Sequence, residues 1–300
     1  MLRIAFHPIY AHPLPEGHRF PMQKYDLLPQ QLLHEGTAEP GDFFEPGLPG
    51  DREILRAHDA GYFADLRAGR IPDREMRKVG FPWSEALVRR ERTIAQGTIT
   101  CCHFALENGV SMNIAGGTHH AYRDRGEAFC MLNDQAIGAL HLLENGLAKK
   151  ILILDLDVHQ GNGTAAIFRD DPRVFTYSVH GQANYPFRKE ESDWDVPLPK
   201  GTGDQQYLNT LEKHLEQLHD LVQPDFVFFL CGVDVLATDK LGTLALTPEG
   251  CRQRDLMVFQ WCKKHGLPVQ CSMGGGYSPS IRTIVDAHAQ TFRVARSLYS

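Results

Sequence analysis

A chain of 300 residues with 42% apolar side chains can bury a sizeable core as one large α/β unit. Its formal net charge of −6 offers no general attraction to nucleic acid or an anionic membrane, and no run approaches the roughly eighteen apolar residues that span a bilayer. The opening MLRIAFHPIY turns polar too soon for a secretory signal, and the seven scattered cysteines form no CxxC pair, so they read as buried thiols of a cytoplasmic protein.

In chain order, apolar strand candidates occur at 2–6, 111–115, 151–154, 173–179, 225–231 and 268–273. Helical periods fill the intervals at 86–107, 132–147, 204–222, 247–265 and 280–298. The alternation predicts a single-domain, open parallel sheet over residues 1–300 with helices on both faces. Ser84 before Glu85-Ala86-Leu87, and Thr247-Pro248-Glu249, carry helix-start chemistry: a capping hydroxyl in each, and in the second a first-turn proline and an acid at the positive dipole end. The segments 8–21 and 36–84, richer in proline, glycine and charge, predict surface loops and short helices over the sheet edge. His214 and His219 lie on a helical period among charges, which predicts solvent exposure.

The chemistry collects where strands end. ILILDLDVHQGNG places Asp155, Asp157 and His159 on alternate positions past a fully apolar run, and open α/β sheets bind ligands outside the carboxyl ends of their strands. A DxDxH alone fits a hydrogen-bonded turn as well as a metal site. Three other junctions add to it: GGTHHA after SMNIA brings His119 and His120, Val233-Asp234 follows FVFFLCG, and GGGY after VQCSM ends in Tyr277. Two carboxylates and one imidazole suit a hard or borderline divalent cation and leave coordination positions open, the pattern of a catalytic zinc rather than a structural one. Paired imidazoles can then move protons, and a tyrosine hydroxyl can donate to an oxyanion. His7, His12, His18 and Arg19, after the first strand, read equally as surface polarity or as residues that reach the site.

GGTHHA, FCMLND, DLDVHQGN, GVDVL and GGGY, in this order and over nearly the whole chain, resemble the zinc-dependent histone deacetylase superfamily, and LGTLALTPEG is most similar to its class IV branch and bacterial relatives. The resemblance implies the arginase/deacetylase fold and hydrolysis of an acyl amide on lysine or a polyamine. It assigns Asp157, His159 and Asp234 to one catalytic Zn2+, or Fe2+ in cells, His119 and His120 to general acid and base, and Tyr277 to polarisation of the carbonyl. Asp155 is expected to orient His119 and, with Ser178, Val179 and nearby main-chain oxygens, to bind a structural K+ or Na+. Phe129 and Tyr185, with Phe187 competing for the second position, are expected to wall an acyl-lysine channel, and Gly117 and Gly275 to let backbone approach the substrate. Asn162 departs from the common pattern, which has aspartate there. An amide stabilises imidazolium less than a carboxylate does, so His120 is expected to stay neutral as the main base while His119 charges more readily.

The implied partner is an acyl-lysine protein or peptide, or an acylated small molecule, with no direct nucleic acid or membrane contact; oligomeric state is not readable. The class IV likeness adds long-chain deacylation as a specific expectation. Rival readings are an acetylpolyamine or small-metabolite deacetylase, a dinuclear manganese hydrolase and a non-catalytic acyl-lysine reader. The manganese enzyme needs bridging carboxylates where Gln160, Gly161 and Asn162 stand, and the reader would be expected to have lost a member of the site. The loops 8–21 and 72–84 are expected to form the rim, and no acidic residue that would clamp the substrate is identifiable.

Overall fold

The computed structural model describes residues 2–299. Eight parallel strands form one sheet: β1 (Arg3–Ala5), β2 (Phe43–Phe44), β3 (Val110–Asn113), β4 (Ile151–Asp155), β5 (Val174–Gly181), β6 (Trp194–Leu198), β7 (Phe226–Leu230) and β8 (Val269–Ser272), in the order β2-β1-β3-β8-β7-β4-β5-β6. Every residue of β3, β4, β7 and β8 is buried, as expected of parallel strands covered on both faces. The order reverses at β4. β5 and β6 extend the sheet to one side, whereas β7 and β8 fill in on the other, and such a switch point opens a crevice at the carboxyl ends.

The helices are α1 (Lys24–His34), α2 (Asp51–Ala57), α3 (Ala60–Arg67), α4 (Asp73–Val79), α5 (Glu85–Asn108), α6 (Asp134–Glu144), α7 (Asn162–Phe168), α8 (Asp204–Val222), α9 (Pro248–Lys264) and α10 (Ile281–Tyr299). α5 packs with α6 and on β1, β3 and β8, while α8, α9, α10 and α1 pack side by side in a second layer. The capping signals act as read: Ser84 accepts from Leu87 N and Thr247 from Gly250 N. All seven cysteines are buried and free.

The six expected strands and five expected helices are present, with ends that match or are shifted by at most three residues. β2 and β6 were not anticipated, because one is two residues long and the other, with Pro197 in it, is a half-buried edge strand. The expectation of exposure fails for two helical histidines. His214 Nδ1 is hydrogen-bonded with Tyr177 OH at 2.9 Å and its ring lies 4.5 Å from Trp194, while His219 stacks on His265 at 3.8 Å, so both are half-buried against neighbouring aromatic rings. No described helix is long and apolar enough to cross a membrane.

Candidate active site

The turns after β3, β4, β7 and β8, four adjacent strands, converge on one floor. Asp157, His159 and Asp234 present donor atoms that all lie within 4.8 Å of one another. His159 Nδ1 is 3.0 Å from Asp157 Oδ1 and 3.2 Å from Asp234 Oδ2. Backbone amides aim the carboxylates: Gly275 N donates to Asp157 Oδ2 at 2.8 Å, His159 N to Asp157 Oδ1 at 3.0 Å and Val158 N to Asp234 Oδ1 at 3.0 Å. Two glycines are required by space. A Cβ on Gly275 would lie 1.9 Å from Asp234 Oδ2, and one on Gly117, at φ +76°, would lie 2.9 Å from the Gly274 backbone.

The two buried imidazoles lie side by side, with ring centroids 4.1 Å apart, but have different partners. His119 Nδ1 donates to Asp155 Oδ2 at 2.6 Å; His120 Nδ1 lies 2.6 Å from Asn162 Oδ1. Burial lowers the pKa of His119, but the charge and hydrogen bond of Asp155 outweigh it and leave the group raised. Burial and the neighbouring His119 and His159 drive His120 well below its ordinary value, against which the Asn162 bond is a weak opposition.

Phe129, Tyr185 and Tyr277 line a cavity of about 370 Å³ that reaches His120 and His159, with Phe187, 91% exposed, at its mouth. Tyr185 and Phe187 therefore both line the passage, the tyrosine deeper. Phe129 holds a left-handed φ of +67°, uncommon for a bulky residue, and its N–H donates to Val79 O at 2.6 Å. A second cavity, of about 40 Å³, lies inside the floor and touches Gly117, Gly275, Cys130 and Arg90. Ser178 and Val179 are buried in β5, with Ser178 opposite Asp155 in register. Of the early loop, Arg19 reaches the mouth and His18 packs on Phe81 and Phe129; His7 caps a short 3-10 turn and His12 lies 3.5 Å from Ser84.

The model of the histone deacetylase domain matches residues 18–292, and histone deacetylase 2 of Arabidopsis thaliana is 30% identical over 281 residues, covering 90% of this chain and 72% of its own. The chain belongs to the histone deacetylase family. An uncharacterised protein of Picosynechococcus sp. is 44% identical over 296 residues, 99% of each chain. An HDAC homolog from Aquifex aeolicus has the same fold, with a TM-score of 0.83 over 97% of this chain and 82% of that one at 24% identity. An HDAC homolog complexed with SAHA gives a TM-score of 0.84, with the same coverage, at 25% identity. Membership of this metal-dependent family supports a deacetylase-like amide hydrolase, built as the arginase/deacetylase fold.

The residues at the cluster fit a divalent cation. Burial and the adjacent charge of Asp157 push the Asp234 carboxyl up to about 7, against the opposing influence of His159, whose Nδ1 lies 3.2 Å from Asp234 Oδ2. Two buried carboxylates held this close call for a positive charge between them.

Several buried braces escaped the sequence reading. Lys24 Nζ donates to Gly274 O at 3.1 Å beneath the Tyr277 turn, and burial brings its pKa down to about 8 against the pull of Asp234 and Asp157. Arg254 donates to Gly232 O at 2.6 Å and to Leu156 O at 3.2 Å, tying the β4 and β7 turns together. Asp134 accepts from Thr118 N at 2.9 Å and Ser272 Oγ at 2.9 Å, and Asp239 accepts from Tyr277 N at 2.6 Å. Glu127 accepts from Tyr185 OH at 2.5 Å, and its position two residues before Phe129, inside the EAFCMLND phrase, was the one available signal.

Proposed function

We propose that the chain is a zinc-dependent amidohydrolase that removes a short acyl group from N-acyl-lysine. The observation that carries this reading is the three-donor cluster seated beside two imidazoles of opposite charge preference, at the base of an aromatic-walled passage. When bound by Asp157, His159 and Asp234, Zn2+, or Fe2+ through the same donors, would polarise the amide carbonyl and make a nearby water more acidic. His120, neutral and with Nε2 free, accepts the proton of the attacking water. His119, charged against Asp155, delivers a proton to the departing lysine amine. The hydroxyl of Tyr277 donates to the developing oxyanion. Asp155, Ser178 and the Val179 carbonyl are the proposed holders of a structural K+ or Na+, which would stiffen the β4–β5 ends under His119.

The cavities favour one substrate class. The inner space of about 40 Å³ holds a few water-sized groups, which is closer to the size of an acetyl group than to that of a fatty chain. The mouth carries Arg19 and Lys78 and no carboxylate among its lining residues; Lys78 is paired with Glu75 at 2.8 Å, whereas no described carboxylate pairs with Arg19. A polycationic acetylpolyamine meets repulsion there, and an acyl-lysine in a neutral or acidic sequence does not.

The test is hydrolysis of an acyl-lysine peptide series and of acetylpolyamines by zinc-loaded protein, with and without chelator. The expected outcome is chelator-sensitive turnover, with kcat/KM falling from acetyl to myristoyl and lower still for acetylpolyamines. Metal-loaded protein inert toward the whole series would instead make it a binding protein, and two tightly held ions per chain would favour the dinuclear reading.

A further inference from the structure

Asn162 removes a carboxylate from the place where His120 would use one, and the structure supplies one a bond further out. Asn162 Nδ2 faces Glu127 Oε2 at 3.4 Å, and the same oxygen accepts from Tyr185 OH at 2.5 Å. The other oxygen, Oε1, is taken by Arg125 Nε at 3.0 Å, and the Arg125 guanidinium lies 3.5 Å over the Tyr122 ring. Glu127 is therefore held from one side by Arg125 and turns its other oxygen to Asn162 and to Tyr185 of the channel wall. It sits in a short turn in which Ala128 N donates to Lys78 O at 2.9 Å and Phe129 N to Val79 O at 2.6 Å, so the carboxylate is fixed by backbone as well as by its ion pair.

We propose that Glu127 is a positioning residue that sets the tautomer of His120 through the Asn162 amide. An aspartate presents oxygen whichever way it turns; an asparagine presents either oxygen or an NH2 group. A carboxylate at Glu127 accepts only, so it draws the NH2 end of Asn162 toward itself and leaves Oδ1 facing His120, 2.6 Å away. An amide oxygen also accepts only, so Nδ1 of His120 carries the ring proton and Nε2 keeps its lone pair. That is the tautomer a general base needs. Turning the amide over would set NH2 against Nδ1, move the ring proton to Nε2 and remove the base. The same carboxylate oxygen tethers Tyr185, whose ring meets His120 edge-on with centroids 5.0 Å apart, so the wall and the base share one anchor.

This inference rests on His120 being the base in the proposed reaction, and its test has one readout that does not depend on turnover. The ring nitrogens of His120 are read by 15N NMR in Zn2+-loaded wild type, Glu127→Gln, Glu127→Leu and Tyr185→Phe proteins, with kcat and KM for an acetyl-lysine peptide measured beside them. Wild type and Glu127→Gln, whose amide oxygen can still accept from Asn162, are expected to show the Nδ1–H form. Glu127→Leu is expected to show a large fraction of Nε2–H and to lose about 10-fold in kcat with KM within twofold, the size typical of second-sphere partners. Tyr185→Phe keeps the Glu127–Asn162 contact and is expected to keep the Nδ1–H form. In an Asn162→Asp background the same Glu127→Leu change is expected to cost nothing, because aspartate needs no orienting. An unchanged tautomer in Glu127→Leu, or an equal loss in both backgrounds, overturns the proposal. Retained turnover in His120→Ala would instead count against the assignment of the base, and the NMR result would still decide the role of Glu127.

Discussion

The floor of the site, made by the turns after β3, β4, β7 and β8, is held by backbone amides aimed at buried carboxylates. The wall, made by residues near 18–20, 78–81, 127–130 and 183–187, is held by ring packing and by side chains that reach from one loop to the next. Phe20, Phe81 and Phe129 meet at about 5 Å between centroids, and each contact joins separate stretches of chain. In the proposed reaction the floor, fixed by the sheet, carries the chemistry, while the wall adjusts what enters. Substitutions should then fall into two ranks, losses of kcat below and changes of KM and of stability around it, with Glu127, the wall residue that reaches Asn162 behind His120, expected to behave as part of the floor.

The sharpest way to break that division is Asp234→Ala. It deletes one of three donors and the acceptor for Val158 N. The expected outcome is a fall in kcat/KM on the order of 1000-fold, as when a principal electrostatic element of a site is removed, with bound zinc lost on dialysis. Metal analysis and steady-state kinetics check both parts. Retention of zinc with activity within tenfold of wild type would place the catalytic centre elsewhere.

Next in size are the two histidines. His120→Ala should lower kcat on the order of 1000-fold and His119→Ala by about 100-fold, both inside the usual range for proton-transfer groups. The inequality follows from their partners: Asp155 favours charge on one imidazole, and burial with an amide partner keeps the other neutral. If His119→Ala abolished turnover and His120→Ala were mild, the two roles would be exchanged.

The floor was legible in the sequence for a physical reason. A strand end, its turn and its ligands are contiguous, so Asp155, Asp157, His159, the histidine pair, Asp234 and Tyr277 each sit within a few residues of a recognisable apolar run. The sheet then needs only to bring four such runs side by side. The braces were not legible, because each is defined by a partner far along the chain: Lys24 meets Gly274, Arg254 meets Leu156, and Asp134 meets Ser272. Nothing local distinguishes Lys24 from an exposed helical lysine. The edge strands failed for a related reason, since β2 and β6 are strands by virtue of their neighbours rather than of apolar content.

His58, at the end of α2, braces the turn that follows the histidine pair and gives a pH-dependent prediction. It is buried, and its Nε2 accepts from Asn133 N at 2.9 Å, where Asn133 in turn donates to Ala121 O just past the histidine pair. Burial lowers its pKa from 6.5 to about 4, with Arg123 pushing the same way and backbone contacts opposing. A lowered histidine pKa means that the unfolded chain binds the proton first. The contribution of neutral His58 is therefore complete above about pH 6.5 and is lost as pH falls toward 4, by about 3 kcal/mol across the window at about 1.4 kcal/mol per unit. Urea unfolding between pH 7 and pH 4 should show this slope, and His58→Gln should flatten it. An unchanged slope in the variant would assign the acid sensitivity to other groups.

The smallest effect is expected at the mouth. Arg19 is exposed, lies 5.0 Å over the Phe129 ring and pairs with no described carboxylate, so its charge acts on the substrate and not on the fold. Exposed charge pairs contribute up to about 1 kcal/mol, which bounds the change at about fivefold. Arg19→Glu should raise KM for acetyl-lysine flanked by acidic residues and lower it for basic flanks, with kcat unchanged for both. The two peptides distinguish charge from shape: loss of the cation–π contact alone would raise both KM values together. Opposite shifts that shrink with added salt would show that the wall selects by charge while the floor is left as it was.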